Sequence, residues 1–222
     1  MDLQSLETLV KGRRSVRKWK KTEVPSDLIK KAIELGTWAP NGGNYQGWYF
    51  IAVKNQKVIV KMADAVQSIA DKIASWPEAK AWQDEVERYR KNTSFYRNAP
   101  AVIAVFISQY QSVADKVLLA RGPADKEATE ILAARRFAPT AVESASAAIT
   151  TLLLAFHQMG LGAVWLASPM QAKKELEAIL NAPASFDLVS LVAVGYPEEA
   201  PQKDRKPVSY LGLHRFHGRE IH

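Results

Sequence analysis

Arg13-Arg14-Ser15-Val16-Arg17 and, further along, Ala39-Pro40-Asn41-Gly42-Gly43-Asn44-Tyr45-Gln46-Gly47-Trp48 are the stretches on which the reading of this chain turns. The first packs three guanidinium groups and a hydroxyl into five residues, a set able to bind something compact and anionic. The second supplies Gly, Asn and Gln in a short loop between a helix and a strand. Neither decides alone. A solvated basic turn and an anion site fit the first equally well, and an ordinary Asn/Gly connection fits the second. One fact favours a ligand at the first: it directly follows a helix stop at Gly12, and loops in such positions carry binding residues.

Working outward, Leu3, Leu6, Leu9 and Val10 share one helical face. A second helix opens at Pro25-Ser26-Asp27 with Ser26 as N-cap and runs through Leu28, Ile29, Ala32, Ile33 and Leu35 to Gly36. Residues 48–53 read as a buried strand. Spacing predicts a helix over 57–75, interrupted by Trp76-Pro77 and followed by a polar helix with Trp82, Val86 and Tyr89. Residues 101–107 are strongly β-type. Residues 109–138 read as an excursion, a flap that is charged, poorly periodic and broken at Gly122-Pro123. The most apolar helix covers 141–159 and stops at Gly160. A short strand at 163–166, a helix at 171–180 and a strand at 188–194 follow, the last ending in Gly195-Tyr196-Pro197. Residues 197–222 lack periodicity and are expected to wrap over another surface. The pattern predicts one α+β domain over 1–222, with a small sheet flanked by helices. The 141–159 helix is too apolar to expose one face, so it belongs in the core or against a second subunit.

Composition narrows the chemistry. With 222 residues and 47% hydrophobic content the chain can bury a full core. It has no cysteine, which excludes disulfides, thiolate metal sites and thiol nucleophiles. The start lacks a basic segment followed by an apolar run, so no signal peptide is expected. The apolar run near 145–156 is too short and too rich in Ser and Thr to span a membrane, and a cytoplasmic protein is the expectation. A balance of 30 basic to 23 acidic residues, +7 in all, suits a phosphate-bearing ligand and equally nucleic acid. Most of these bases lie on helix faces with acids nearby, as in 54–91. The histidines are His157, His214, His217 and His222. None has carboxylate partners at metal-ligand spacing, and no metal is predicted. His157 reads as a core or interface residue rather than a catalyst. G-x-S-x-G, P-loop and G-x-G-x-x-G patterns are absent, and Gly160-x-Gly162 follows a helix, the wrong context for a dinucleotide fingerprint.

Taken in order, the arginine motif, the Asn/Gly loop, the apolar helix ending in Gly160-Leu161-Gly162 and the basic Lys203-Asp204-Arg205 resemble the nitroreductase family of flavin mononucleotide (FMN) enzymes over most of the chain. The resemblance implies a nitroreductase-like fold with a small, mostly antiparallel sheet, and an intertwined homodimer with a C-terminal extension. It implies that Arg13 and Ser15 hold the FMN phosphate, with Arg14 contributing its backbone and Lys203 and Arg205 returning to the same group. Arg17 would face the N1/O2 edge of the flavin, where negative charge builds on reduction. The loop with Pro40, Asn41, Asn44 and Gln46 would reach the flavin of the opposite subunit. Family members usually carry Pro where this chain has Gly47, and Ser or Ala at Gly42-Gly43, so a looser loop is expected. Backbone N–H groups at Ala167 and Ser168 would meet flavin N5 and O4, and Asn92 the pyrimidine edge.

The activity so implied is ping-pong reduction of an electron-poor small molecule, with NADH or NADPH as donor and no protein acid required. Two other branches of the fold stay open. One is reductive dehalogenation, for which Glu85, Tyr89 and Lys91 are a crude match on a helix that is otherwise simply polar. The other is flavin destruction, which needs an acid that the sequence does not offer. From a different class, a basic nucleic-acid-binding or scaffold protein without flavin would be colourless and bind polyanions in a salt-sensitive way. The reading adopted is the flavin enzyme, without nucleic acid or membrane as partner.

Overall fold

The structure is a computed structural model that describes residues 2–202, 205, 214–216 and 219–221. In chain order the described residues form α1 (Leu3–Gly12), α2 (Ser26–Gly36), β1 (Trp48–Val53), α3 (Gln56–Ala74), α4 (Gln83–Asn92), β2 (Ala101–Ile107), α5 (Val113–Arg121), α6 (Lys126–Phe137), α7 (Thr140–Gln158), β3 (Gly162–Leu166), α8 (Lys173–Leu180), β4 (Asp187–Gly195), β5 (His214–Phe216) and β6 (Arg219–Ile221). The main sheet has the order β1-β2-β4-β3, and every pairing in it is antiparallel. This is the small sheet the pattern predicts, antiparallel as the resemblance implies.

Helices cover both faces, which is why the central strand shows no polar-out alternation. All seven residues of β2 are buried. Val102, Ala104 and Phe106 enter one apolar layer with Ile59, Met62 and Val66 of α3 and Leu176 of α8. Ala101, Ile103, Val105 and Ile107 enter a second layer with Ile29 and Ala32 of α2 and the inner face of α7. The period of two along β2 thus decides which helices each residue meets. β1 is an edge strand, and Tyr49 and Ala52 are exposed, so the buried strand predicted at 48–53 is corrected to a partly exposed one. Ser26 also differs from expectation. Pro25 occupies the N-cap position, and the Ser26 hydroxyl accepts from Lys54 Nζ at 3.1 Å instead.

Helix α7 buries Ala145, Ala148, Ile149, Leu152, Leu153, Ala155 and Phe156. Its other side is small. Ser146, Thr150 and Thr151 turn their hydroxyls back onto carbonyls four residues earlier, at 2.8–3.1 Å, leaving a low ridge with Ala147. The stretch Lys126–Gln158 has the length and apolarity to cross a membrane, but Pro139 divides it and α7 lies on the sheet. Helix α1 buries no residue, and Leu3 and Val10 are more than half exposed, so its apolar face is open in the single chain.

The 109–138 excursion is a helical hairpin. Neither helix is amphipathic, and Ala128 alone is buried among them. Caps start them: Ser112 and Asp115 form a reciprocal capping box on α5, and Asp125 accepts from the N–H groups of Glu127 and Ala128 on α6. Arg135 then ties the hairpin together by donating to Asp115 at 2.7 Å. Periodicity could not signal helices that have almost no core to face.

Candidate active site

The arginine loop is built into the sheet. Arg13 leaves α1 with extended backbone. Ser15 then forms a parallel bridge with Ala163 at the free edge of β3, and Val16 N donates to Ala163 O at 3.2 Å. Trp19 pairs with Pro197, and its indole donates to Gly162 O at 2.8 Å. Residues 15–19 therefore run as a fifth strand in effect, between β3 and the segment that leaves β4. Gly162 is required there, because a Cβ would lie 2.7 Å from Val16. Glu199 completes the seam: Oε1 accepts from Arg17 N at 2.6 Å and from Lys18 N at 3.2 Å.

This seam gathers positive charge. Burial lowers the pKa of Arg13, and the charges of Arg205 and Arg14 lower it further. Among the described residues none of the ion pairs involves Arg13, Arg14, Arg17 or Arg205. Arg14 folds back onto the carbonyls of Lys11 and Arg13, and its buried Nε has no partner among them. Half-buried cations that lack a carboxylate are costly unless an anion joins them. Ser15 is half-buried beside them. The charge of Arg205 is thus felt at Arg13, while Lys203 lies outside the described residues. Arg17 is exposed, with its guanidinium 5.9 Å from the ring centre of Phe95, which stacks on Trp19.

Ala167 and Ser168 are exposed just beyond β3, where Ser168 opens a short 3-10 turn. Pro169 has no N–H and Met170 N donates to Ala167 O at 3.1 Å, which leaves the Ser168 N–H without a partner inside the turn. Asn92 ends α4, and its amide donates back to Arg88 O at 2.7 Å, so that half of the side chain is occupied.

The Asn/Gly loop lies elsewhere. It sits at the start of α7: Gly42 N donates to Ser144 Oγ at 3.2 Å, and Asn41, Tyr45, Gln46, Ser108 and Tyr110 line one small crevice with Ser144. Pro40, which is exposed, leads into it. From Ser144 to His157, at the arginine end, α7 rises about 20 Å at 1.5 Å per residue. The structure therefore does not bring Asn44 and Gln46 to the Arg13 of the same chain. Nor is the loop loose. Asn41 Oδ1 accepts from Gln46 N at 2.9 Å, and Gln46 Nε2 donates to Asn44 Oδ1 at 3.2 Å. Gly43, Asn44 and Gln46 all adopt positive φ, and a Cβ on Gly43 would fall 2.5 Å from the Tyr110 hydroxyl. Gly43 is demanded by packing on Tyr110, which sequence reasoning did not single out, and Gly42 by packing on Thr140.

Glu85, Tyr89 and Lys91 share α4. The Tyr89 hydroxyl bonds Gln171, and Lys91 pairs with Glu87 at 3.3 Å. Two residues of the arginine end had no distinguishing signal in the sequence: Glu199, and His157, which lines the same pocket as Arg13 and Arg14.

Comparison with known proteins agrees with this architecture. A family model described as the nitroreductase family matches residues 10–196. The iodotyrosine deiodinase of Thermotoga neapolitana is 26% identical, over 90% of this chain and 93% of its own length. A crystal structure of a BluB-like flavoprotein from Clostridium difficile 630 is 30% identical, with a TM-score of 0.80 over 97% of this chain and all of that one. The crystal structure of oxidized iodotyrosine deiodinase bound to FMN and 3-iodo-L-tyrosine is 25% identical, with a TM-score of 0.67 over 91% of this chain and 96% of that one.

Proposed function

Because this chain belongs to the nitroreductase family, we propose that it is an FMN-dependent oxidoreductase, a homodimer with shared active sites that uses NADH or NADPH to reduce an electron-poor small molecule such as a nitroaromatic or quinone. The observation that carries the reading is the pair of half-buried arginines Arg13 and Arg14 with the charge of exposed Arg205 added to theirs, none of which has a carboxylate partner among the described residues. A phosphomonoester fits it by charge and by size, and Ser15 adds a short-range donor. FMN held there would supply hydride exchange between the nicotinamide and the acceptor.

The chain's own residues supply position and charge. Arg13 and Ser15 grip the phosphate, helped by Arg205 and Lys203, while Arg14 offers backbone. Arg17, exposed to solvent over Phe95, stands as a cation for the pyrimidine edge. The exposed backbone at Ala167 and Ser168 offers donors to the far edge, and Asn92 retains a carbonyl for the same rim. Asn44 and Gln46 are read as donors to the partner's flavin. Two features support that sharing. The loop and the arginines lie at opposite ends of α7, and the outward ridge of α7 is small enough for close approach by a second copy. A two-fold axis across that ridge would join each loop to the other protomer's arginines. Residues 197–222 would embrace the neighbour, and 109–138 would flank the acceptor.

A dehalogenating activity is the second reading, supported by the deiodinases among the relatives. Against it, Tyr89 and Lys91 already have partners within the polar helix surface. The visible spectrum of the purified protein is the first test. Flavin bands, bleached anaerobically by NADH or NADPH and restored by acceptors, are the expected result; a colourless protein that binds no added FMN overturns the proposal. Reoxidation by an iodinated phenol with release of iodide, and by no nitroaromatic or quinone, would favour the second reading.

A further inference from the structure

A pocket of about 330 Å³ opens beside the arginine loop, lined by Gly12, Arg13, Arg14, His157, Gly162 and Glu199 among others. His157 reaches it from the last turn of α7. Its imidazole lies against Gly12, where an added Cβ would be 3.0 Å from Nε2. Among the described residues neither ring nitrogen is spent on a hydrogen bond, so both stay available to whatever enters. Arg13 and Arg14 are its charged neighbours in the pocket. A second cleft on its far side holds Asp2, whose carboxylate already accepts from Ser5 N. Glu199 faces the pocket from the segment after β4 but is committed to the N–H groups of Arg17 and Lys18. β3 contributes only Gly162 and Ala163.

We infer that His157 is a further binding group for the cofactor's phosphate, joining Arg13, Ser15 and Arg205 and taking up a proton as the phosphate arrives. The inference rests on the FMN reading above. Burial disfavours the imidazolium, and the charges of Arg13 and Arg14 disfavour it further, so the pKa of His157 lies below its ordinary value in the free protein. A phosphate dianion on Arg13 and Arg14 cancels that repulsion and replaces it with attraction. The complex therefore binds a proton more readily than the free protein does. FMN affinity must then rise as pH falls through the His157 pKa of the complex, and level off below that of the free protein. The C-terminal carbonyls of α7 act in the same direction as the phosphate.

The test compares wild type with His157→Gln between pH 8 and pH 6, titrating with FMN, riboflavin and inorganic phosphate. The phosphate group's own second ionisation, at a pKa of about 6, acts on both proteins alike and cancels in their ratio. The FMN dissociation constant of His157→Gln relative to wild type should grow about three- to tenfold over that range, tenfold being one unit of pKa displacement. Calorimetry in buffers of different ionisation heat should show proton uptake by wild type in excess of the variant. Inorganic phosphate should reproduce the uptake weakly, and riboflavin not at all. His157→Asn, a second neutral replacement of smaller volume, should flatten the profile likewise, and it carries the test should the first variant fold poorly. Parallel FMN profiles in all three proteins overturn the role of His157 while leaving the flavin reading intact. Failure of wild type to bind FMN, or tight binding undiminished in Arg13→Ala, overturns the reading beneath it.

Discussion

The two ends of α7 hold unlike pieces of chemistry. At its C-terminal end, charge is concentrated in a loop held by the backbone of α1 and β3 and by the Glu199 carboxylate after β4, with the charge of Arg205 adding to that of Arg13. At its N-terminal end, a neutral loop closes on itself through Asn41, Asn44 and Gln46 and rests on Tyr110 and Ser144. The first end holds its cations without carboxylate partners among the described residues. The second is satisfied as it stands and can only lend its donors outward. An isolated protomer thus separates charge recognition from neutral recognition by the length of a helix.

The sharpest way to break this contrast is Arg13→Ala. Loss of one charge-assisted contact should weaken FMN retention about ten- to a hundredfold, at 1.5–3 kcal/mol for such a bond, as read by flavin occupancy after gel filtration. Full occupancy would end the assignment of the phosphate to this end. Next comes the neutral end. Asn44→Ala with Gln46→Ala should cost roughly five- to thirtyfold at about 1 kcal/mol per neutral bond. Mixing that chain with Arg13→Ala should restore one intact site per heterodimer. Recovery of nothing despite proven subunit exchange would refute sharing across the dimer.

Arg17→Ala should leave most of the FMN bound but lower its reduction potential by tens of millivolts, 30 mV being about 1.4 kcal/mol for a two-electron couple. An unchanged potential in spectroelectrochemical titration would remove Arg17 from the flavin's rim.

The smallest effect lies in the α5–α6 hairpin. Hydrogen bonds from Arg135 and Ser112 hold the Asp115 carboxyl well below its ordinary value. The support it gives is therefore complete above the usual carboxylate range and fades as pH falls toward the depressed folded value. Amide exchange in 113–137 should accelerate in acid before that of α7, and an Asp115→Asn variant should show this speed already at neutral pH. Exchange in 113–137 as slow as in α7 at every pH would mean the hairpin is no separable flap.

Much of the fold was legible because it rests on periodicity. β2, α3 and α7 carry apolar residues at spacings that only one kind of packing satisfies. The hairpin at 113–137 was read only as an excursion since its helices start from caps and bury almost nothing. The charged half of the site was visible as residue types, three arginines in five positions. The conformation of the neutral half was not, because positive φ at Asn44 and Gln46 and the demand of Tyr110 on Gly43 arise from tertiary packing. His157 stayed hidden for a related reason. Its pattern is that of an ordinary helix end, and only the fold sets Gly12 and the arginines beside it.

The clasp of Glu199 on Arg17 joins residues 182 positions apart. During synthesis the N-terminal arginines leave the ribosome early, long before the carboxylate that organises their backbone or the strand they pair with has been made. On the function proposed above, cofactor capture would be among the last events of maturation, after the sheet has closed at β4, since contacts of such separation form only once the intervening loop entropy has been met. A nascent chain stalled short of residue 199 would display its arginines without a frame, exposed to whatever polyanion lies nearest.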